Sequence, residues 1–309
     1  MITRRQWLAG VPALGLAQTA PTTVTYKRAG SLEIQADVHK GRPGAPLIFW
    51  IHGGALISGS RQGLRPAHRD RYLAAGYSIV SVDYRLAPEA KLPAILDDLR
   101  DAWRWARTAG ATTFGYDPHR VAVIGHSAGG YLTLTAGYWL RPRPTALVSY
   151  YGYGDIAGDW YAKPDPFYSK QPAVPRQEAY AAVGGPAMSS PPPKNSRGRF
   201  YLYCRQNGLW PREVAGLDPV QQRQQIDRYC PLRHVDPHYP PTLLLHGDAD
   251  TDVPFEQSAL MDAELTRNKV EHDFIRIPGG PHGFDGRVND PVVAKSFERV
   301  LDFLSKKLA

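Results

Sequence analysis

Gly125-His126-Ser127-Ala128-Gly129 decides the reading of this chain. It follows the short apolar run Val121-Ala122-Val123-Ile124 and leads into Gly130-Tyr131-Leu132-Thr133-Leu134-Thr135-Ala136. The pattern is strand, sharp turn, helix, with a serine at the apex. A serine hydroxyl is a weak nucleophile until a base takes its proton. A turn of this kind lifts Ser127 out of a sheet and sets it at a helix N-terminus, where backbone N–H groups point outward. The flanking glycines permit a strained backbone without Cβ clashes. The same residues also suit a plain glycine-rich turn or a phosphate-cradling loop. The strand before and the helix after favour the nucleophile.

Chemistry at such a serine needs three more parts. His52-Gly53-Gly54-Ala55 follows an apolar run ending at Ile51. The backbone N–H groups of Gly53, Gly54 and Ala128 are the expected oxyanion hole, because glycines let a backbone approach a substrate closely. A plain glycine turn is the alternative. His246-Gly247-Asp248-Ala249-Asp250-Thr251-Asp252-Val253-Pro254 follows the run Leu243 to Leu245 and offers three carboxylates. Asp250 is the expected acid, with Asp248 in reserve. A calcium loop would need a glycine and a terminal glutamate that this stretch lacks. Pro281-His282-Gly283-Phe284 precedes the final helical stretch, and His282 is the expected base. The chain order is serine, acid, histidine. His126 is expected to pack or hydrogen-bond structurally, and His52 to brace the oxyanion loop.

Strand and helix patterns alternate from about residue 22. An opening hairpin covers Val24 to Tyr26 and Leu32 to Val38. Further strands are expected at Pro46–Ile51, Tyr77–Val82, Arg120–Ile124, Ala146–Tyr150, Thr242–Leu245 and Asp273–Arg276. Helical stretches lie near 66–75, 93–109, 128–140, 255–268 and 291–307. Continuous apolar runs separated by helices predict an α/β protein with a mostly parallel eight-stranded sheet, covered on both faces. About 153–239 breaks the rhythm with prolines, aromatics and no clear strand. A structureless loop that long is improbable in a compact domain, so an inserted lid with short helices is expected there. Gln221 to Tyr229 has helical composition. Trp160, Tyr161, Phe167, Tyr168, Tyr201, Tyr203 and Trp210 either line an acyl pocket or, for most of them, form the insertion's own small core.

The chain has 309 residues, 43% of them hydrophobic, which suits one large α/β domain with an insertion. The formal net charge is +8, but the basic residues are scattered and no nucleic-acid motif is present. Nucleic acid is therefore not an expected partner. Thr3-Arg4-Arg5-Gln6-Trp7-Leu8 resembles a bacterial twin-arginine motif, and a short apolar stretch from Trp7 to Ala17 follows. Residues 1–21 are read as an export signal with cleavage near Ala17, and 22–309 as the catalytic domain. A general secretory signal, a retained anchor or a basic N-terminus that packs on the body stays open. A periplasmic or secreted location is expected, with no stable membrane insertion of the mature form. In such a compartment Cys204 and Cys230 either pair as a disulfide or remain two thiols. No zinc-type spacing occurs, so a metal site is not expected.

Together these stretches resemble the α/β-hydrolase fold and, within it, the hormone-sensitive-lipase-like carboxylesterases. Asp83-Tyr84-Arg85-Leu86-Ala87-Pro88-Glu89 is similar to a signature of that group, as are His52-Gly53-Gly54 and Gly125 to Gly130. The resemblance covers residues 22–150 and 240–309. It implies cofactor-free hydrolysis of short-chain acyl esters, small or polysaccharide-linked, with Asp83 to Glu89 as structural support behind the oxyanion loop. Ala55 stands where the usual fourth residue is glycine, and the lid must come from the insertion. The stretch from His246 to Pro254 is more similar to dienelactone-hydrolase-like and prolyl-oligopeptidase-like members. A serine peptidase acting on short peptides and a non-catalytic, ligand-binding relative are the alternatives.

Overall fold

The computed structural model describes residues 20–191 and 197–309. The expected export segment falls outside them except for Ala20 and Pro21. Eight strands form one sheet: β1 Thr22–Ala29, β2 Leu32–His39, β3 Pro46–Ile51, β4 Ser78–Val82, β5 Asp117–His126, β6 Ala146–Tyr150, β7 Thr242–Gly247 and β8 His272–Ile277. Their order is β1-β2-β4-β3-β5-β6-β7-β8. The six strands from β4 to β8 in that order are parallel, whereas β2 runs antiparallel to both β1 and β4. Every residue of β3, β4, β6 and β7 is buried, as strands covered on both faces must be.

The strand period divides the core in two. Leu47, Phe49 and Ile51 of β3 join the core on one face of the sheet, and Ile48 and Trp50 join the core on the other. The first face is packed by the helices Leu92–Trp105 and Ala128–Trp139, the second by Pro66–Ala74 and Pro291–Lys307. Pro291 opens its helix at a position where the missing N–H costs nothing, and Asp290 caps it by accepting from Val292 N. From β3 the chain moves out to β4 and returns to β5 on the far side of β3. That reversal opens a crevice at the carboxyl ends of β3 and β5, where α/β sheets hold ligands.

Segment 153–239 contains short helices at Asp159–Ala162, Arg176–Ala181, Gly198–Asn207 and Arg223–Asp227, as its composition suggested. Among the described residues it shares the first core with the sheet and has no separate one. The helix Ala128–Trp139 is buried along its length from Ala128 to Gly137, because the segment covers the side that the sheet does not. Tyr131 Oη donates to Tyr229 O at 2.8 Å, and Tyr239 Oη donates to Leu134 O. Trp210 Nε1 donates to Ala55 O at 3.0 Å, which ties the segment to the loop after β3. Among the aromatics expected at a pocket, Tyr161 and Trp210 stack at 4.2 Å inside the core, Phe167 is exposed, and Tyr201 reaches the cavity described below. Cys204 and Cys230 are buried free thiols, so the disulfide reading is not realised. Burial pushes the Cys230 thiol up to about 12, far from reactivity at neutral pH.

Candidate active site

Ser127 stands between the end of β5 and the helix Ala128–Trp139 with φ +56° and ψ −120°. A side chain rarely adopts that backbone, and the surroundings hold it there. Ser127 N donates to Tyr150 O at 2.9 Å, and Ser127 O accepts from Tyr131 N at 2.9 Å. Gly129 lets the turn lie against β3, since a Cβ there would stand 2.2 Å from Ile51 O. Gly53 serves the facing loop in the same way: its Cβ would lie 2.7 Å from His126 O and 3.3 Å from Ser127 Cβ. The sequence therefore packs two glycine-bearing loops, one from β3 and one from β5, directly against each other.

The loop after β3 is rigid without regular structure. Ile57 N and Ser58 N both donate to Gly54 O at 2.9 Å, and Ala55 and Leu56 hold positive φ. Among the described residues no acceptor takes the N–H of Gly53 or Gly54, so both donors remain for a ligand. His52 braces this loop, as expected. It stacks on Tyr84 at 4.1 Å, Tyr84 Oη donates to His52 O at 2.9 Å, and burial pushes the imidazole down to about 4. A ring held neutral in this way supports structure and does not shuttle protons near pH 7. The stretch Asp83 to Glu89 continues the support. Asp83 accepts from Arg61 N and Nη1 at 2.6 Å, and Ala87 N donates to Leu56 O at 2.8 Å.

His282 and Asp250 meet across the ends of β8 and β7. His282 Nδ1 lies 2.7 Å from Asp250 Oδ2. The Asp250 side chain is fully buried. Its Oδ1 accepts from Asp252 N at 2.8 Å and Val253 N at 3.0 Å, and His246 Nε2 stands 3.3 Å from Oδ2. Burial works to raise the Asp250 carboxyl, but the bonds from His246, His282 and the Val253 N–H outweigh it and hold the group well below the carboxylate range. Burial lowers the His282 imidazole, but Asp250, Asp252 and Asp285 outweigh it and raise the group above its ordinary value of 6.5. Asp248, the reserve acid, turns away to the surface. It accepts from Arg276 Nε at 2.7 Å and Gly279 N at 2.6 Å.

Ser127, His282, Gly53 and Gly54 line one cavity of about 480 Å³. Ala128 lies directly behind Ser127, and its N–H opens the helix. The sequence reading missed part of the wall. Arg65 Nε donates to Asp285 Oδ2 at 2.8 Å, and Tyr151 Oη donates to Asp285 Oδ1 at 2.5 Å. His126 Nε2 and His68 Nδ1 face Asp285 Oδ2 at 3.5 and 3.7 Å. Burial pushes His126 down to about 4, and its ring stacks on Tyr150 at 4.3 Å. This is the one His/Asp group among the described residues compact enough for an ion, and the Arg65 guanidinium already places positive charge on the shared oxygen. Asp252 is the other missed contributor. Its carboxylate had been visible only as one of three acids in a loop.

The sheet order, the turn at Ser127 and the strand-end loops define one class of protein. The chain belongs to the alpha/beta hydrolase fold family, which it matches over residues 48–286. It is 29% identical over 336 residues to the non-reducing polyketide synthase ausA of Penicillium brasilianum, covering 89% of this chain and 13% of that protein. It is 29% identical over 249 residues to the esterase LipC of Mycobacterium tuberculosis, covering 78% of this chain and 53% of that one. The chain thus spans a small part of the synthase and about half of LipC. The native structure of the esterase Est2 from Thermogutta terrifontis superposes with a TM-score of 0.65 at 20% identity, covering 94% of this chain and 93% of that one.

Proposed function

We propose that this protein is a serine carboxylesterase acting on short-chain acyl esters through an acyl-enzyme. The observation that carries the reading is His282 Nδ1 at 2.7 Å from the buried Asp250, in the same cavity as Ser127 and two unspent glycine N–H groups. Asp250 holds the imidazole with its proton on Nδ1, so that Nε2 is the acceptor. Ser127 Oγ passes its proton to His282 Nε2 and bonds to the ester carbonyl carbon. The carbonyl oxygen becomes an oxyanion, stabilised by the N–H groups of Gly53, Gly54 and Ala128. The intermediate collapses as the C–O bond to the alcohol breaks and Nε2 returns the proton to the leaving oxygen. Water, deprotonated by His282, repeats the sequence and frees Ser127 with the carboxylic acid.

The cavity wall supports a short acyl group. Among the described residues that line it there is no Leu, Ile, Val, Met or Phe. Each buried methylene contributes about 0.8 kcal/mol where an apolar wall receives it, and here, among the described residues, Trp50, Ala55, Tyr151 and Tyr201 supply that wall between glycines, serines and charged groups, with no aliphatic channel for a long chain. The name of LipC, an esterase, supports ester hydrolysis. Export as a soluble periplasmic or secreted enzyme is part of this proposal, carried by Arg4-Arg5 and the apolar stretch behind them. The N-terminal sequence of the protein purified from its native host tests it: a start near residue 18 is expected, and an intact Met1 there removes the export reading.

A fluorophosphonate probe should label the protein at Ser127, and the Ser127→Ala variant should neither label nor turn over p-nitrophenyl acetate. Retained turnover in that variant would sink the assignment. Across p-nitrophenyl esters of increasing chain length, kcat/KM should fall beyond about four carbons. A rise toward ten or twelve carbons would contradict the short-chain reading. Efficient cleavage of short peptide amides with negligible ester turnover would replace it with the peptidase alternative.

A further inference from the structure

A second carboxylate meets His282 from the side opposite Asp250. Asp252 Oδ2 lies 3.4 Å from His282 Nε2. Asp252 and Asp250 come from the same loop after β7, but they are held by different parts of the molecule. Asp250 Oδ1 is held by backbone N–H groups of its own loop. Asp252 Oδ1 accepts from Tyr168 Oη at 2.9 Å, Tyr201 Oη at 2.5 Å and Arg205 Nη1 at 2.8 Å. All three donors belong to segment 153–239. Arg205 is only 1% exposed, and its other arm, Nη2, donates to Asp165 Oδ2 at 2.5 Å. Its guanidinium also sits 4.7 Å from the Tyr168 ring and 5.1 Å from the Tyr161 ring. The clamp uses Oδ1 and leaves Oδ2 for the cavity, which Asp252 and Tyr201 both line.

We propose that Asp252 is a positioning residue for His282, one through which the inserted segment sets the pH range of the active site. The proposal rests on the reading of His282 as the base. With the proton on Nδ1, Nε2 carries electron density rather than a proton, and Asp252 Oδ2 at 3.4 Å repels it. Once Nε2 has taken the Ser127 proton, the same contact is an attraction between opposite charges. The Asp252 carboxylate therefore favours the imidazolium over the neutral ring. Proton uptake from Ser127 becomes easier, and the resting base stays protonated up to a higher pH.

The other groups facing His282 are accounted for. Asp250 holds Nδ1, and Asp285 adds negative charge from the histidine's own loop. Arg65 on the cavity wall is paired with Asp285. His126 acts from the Ser127 turn and is held neutral by burial. The Tyr151 ring meets the imidazole edge-on at 4.6 Å and brings no charge. Asp252 is the group that acts on the reacting nitrogen, and it alone is held by the insertion.

The test is the pH profile of kcat/KM for p-nitrophenyl acetate in the full-length wild type and in Asp252→Asn. The acid limb of the variant should move down by about one pH unit, which is about a tenfold relative gain well below the limb. Asp252→Glu, which keeps the charge, should keep the limb near the wild-type position. If Asp252→Asn does not fold because Arg205 loses one of its two carboxylates, the double variant Asp252→Asn/Arg205→Lys keeps a single cation for Asp165 and should shift the limb in the same direction. A folded variant whose limb stays within about 0.2 unit of wild type overturns the proposal. That failure is distinct from failure of the base reading, which Ser127→Ala and fluorophosphonate labelling test without reference to the limb.

Discussion

The loops at the carboxyl ends of β3, β5, β7 and β8 and the segment 153–239 enclose the same cavity, but they are built by different rules. Each strand-end loop delivers its group within a few residues of a strand: Gly53 and Gly54 after β3, Ser127 after β5, Asp250 after β7 and His282 after β8. Short backbone bonds hold them, such as Ser127 N to Tyr150 O and Val253 N to Asp250 Oδ1. The segment acts over distance. Trp210 reaches Ala55, and Arg205 reaches Asp252 across 47 residues of sequence. The sheet ends place the candidate catalytic groups, and the segment supplies part of the cavity wall and the clamp on Asp252.

The comparison breaks or sharpens at four places. The largest effect is expected at the acid. Asp250→Asn should lower kcat by roughly 10³–10⁴-fold, because the amide favours the wrong histidine tautomer. Asp248→Asn should stay within a few fold, since that carboxylate is spent on Arg276 and Gly279 at the surface. The opposite ranking, read from kcat on p-nitrophenyl acetate, would transfer the acid role. The next effect is on pH. His282 is raised above 6.5 by its carboxylates, and under the proposed mechanism the neutral ring is the active base. Activity should therefore fall as pH drops through a midpoint above 6.5. A midpoint below it would mean that burial outweighs the acids.

The third test addresses the segment itself. Removing the Trp210 indole donor with Trp210→Phe leaves Ala55 O without its partner, in a buried place. A loss of about 1–3 kcal/mol of stability is expected from thermal or denaturant unfolding, with kcat/KM falling more than the bulk fold requires. A stability loss with unchanged kinetics would show the segment to be a roof that does not steer the loop after β3. The smallest effect concerns sulfur. Cys204 and Cys230 are buried and free, so reductant should leave the melting temperature unchanged within about one degree.

The strand-end chemistry was legible because its signals are local. The alternation of apolar runs and helices placed all eight strands, and the observed bounds differ by a few residues, as with β5 starting at Asp117. The order serine, acid, histidine selected Ser127, Asp250 and His282, and in the structure Ser127 and His282 line one cavity while Asp250 is buried against His282 Nδ1. Asp250 could be preferred over Asp248, yet nothing in the stretch His246 to Pro254 indicated that Asp252 would turn to the histidine's other nitrogen. That placement depends on Arg205, Tyr168 and Tyr201, which follow no repeat and sit in a segment held by long-range side-chain bonds. Arg65 and Asp285 escaped notice for the same reason: 220 residues separate them, and neither lies in a motif.

The backbone at Ser127 carries a consequence for the stability of the whole protein. Its φ of +56° belongs to a region that costs a residue with a side chain about 1–3 kcal/mol and costs glycine little. Ser127→Gly releases that cost, against about 0.4–1 kcal/mol for the extra freedom glycine gives the unfolded chain. Ser127→Ala keeps the Cβ and the cost. Two variants that are both expected to be inactive should therefore melt apart, with glycine the more stable by about 1 kcal/mol. The native serine would then mark a place where evolution has kept a less stable protein than the same chain can make.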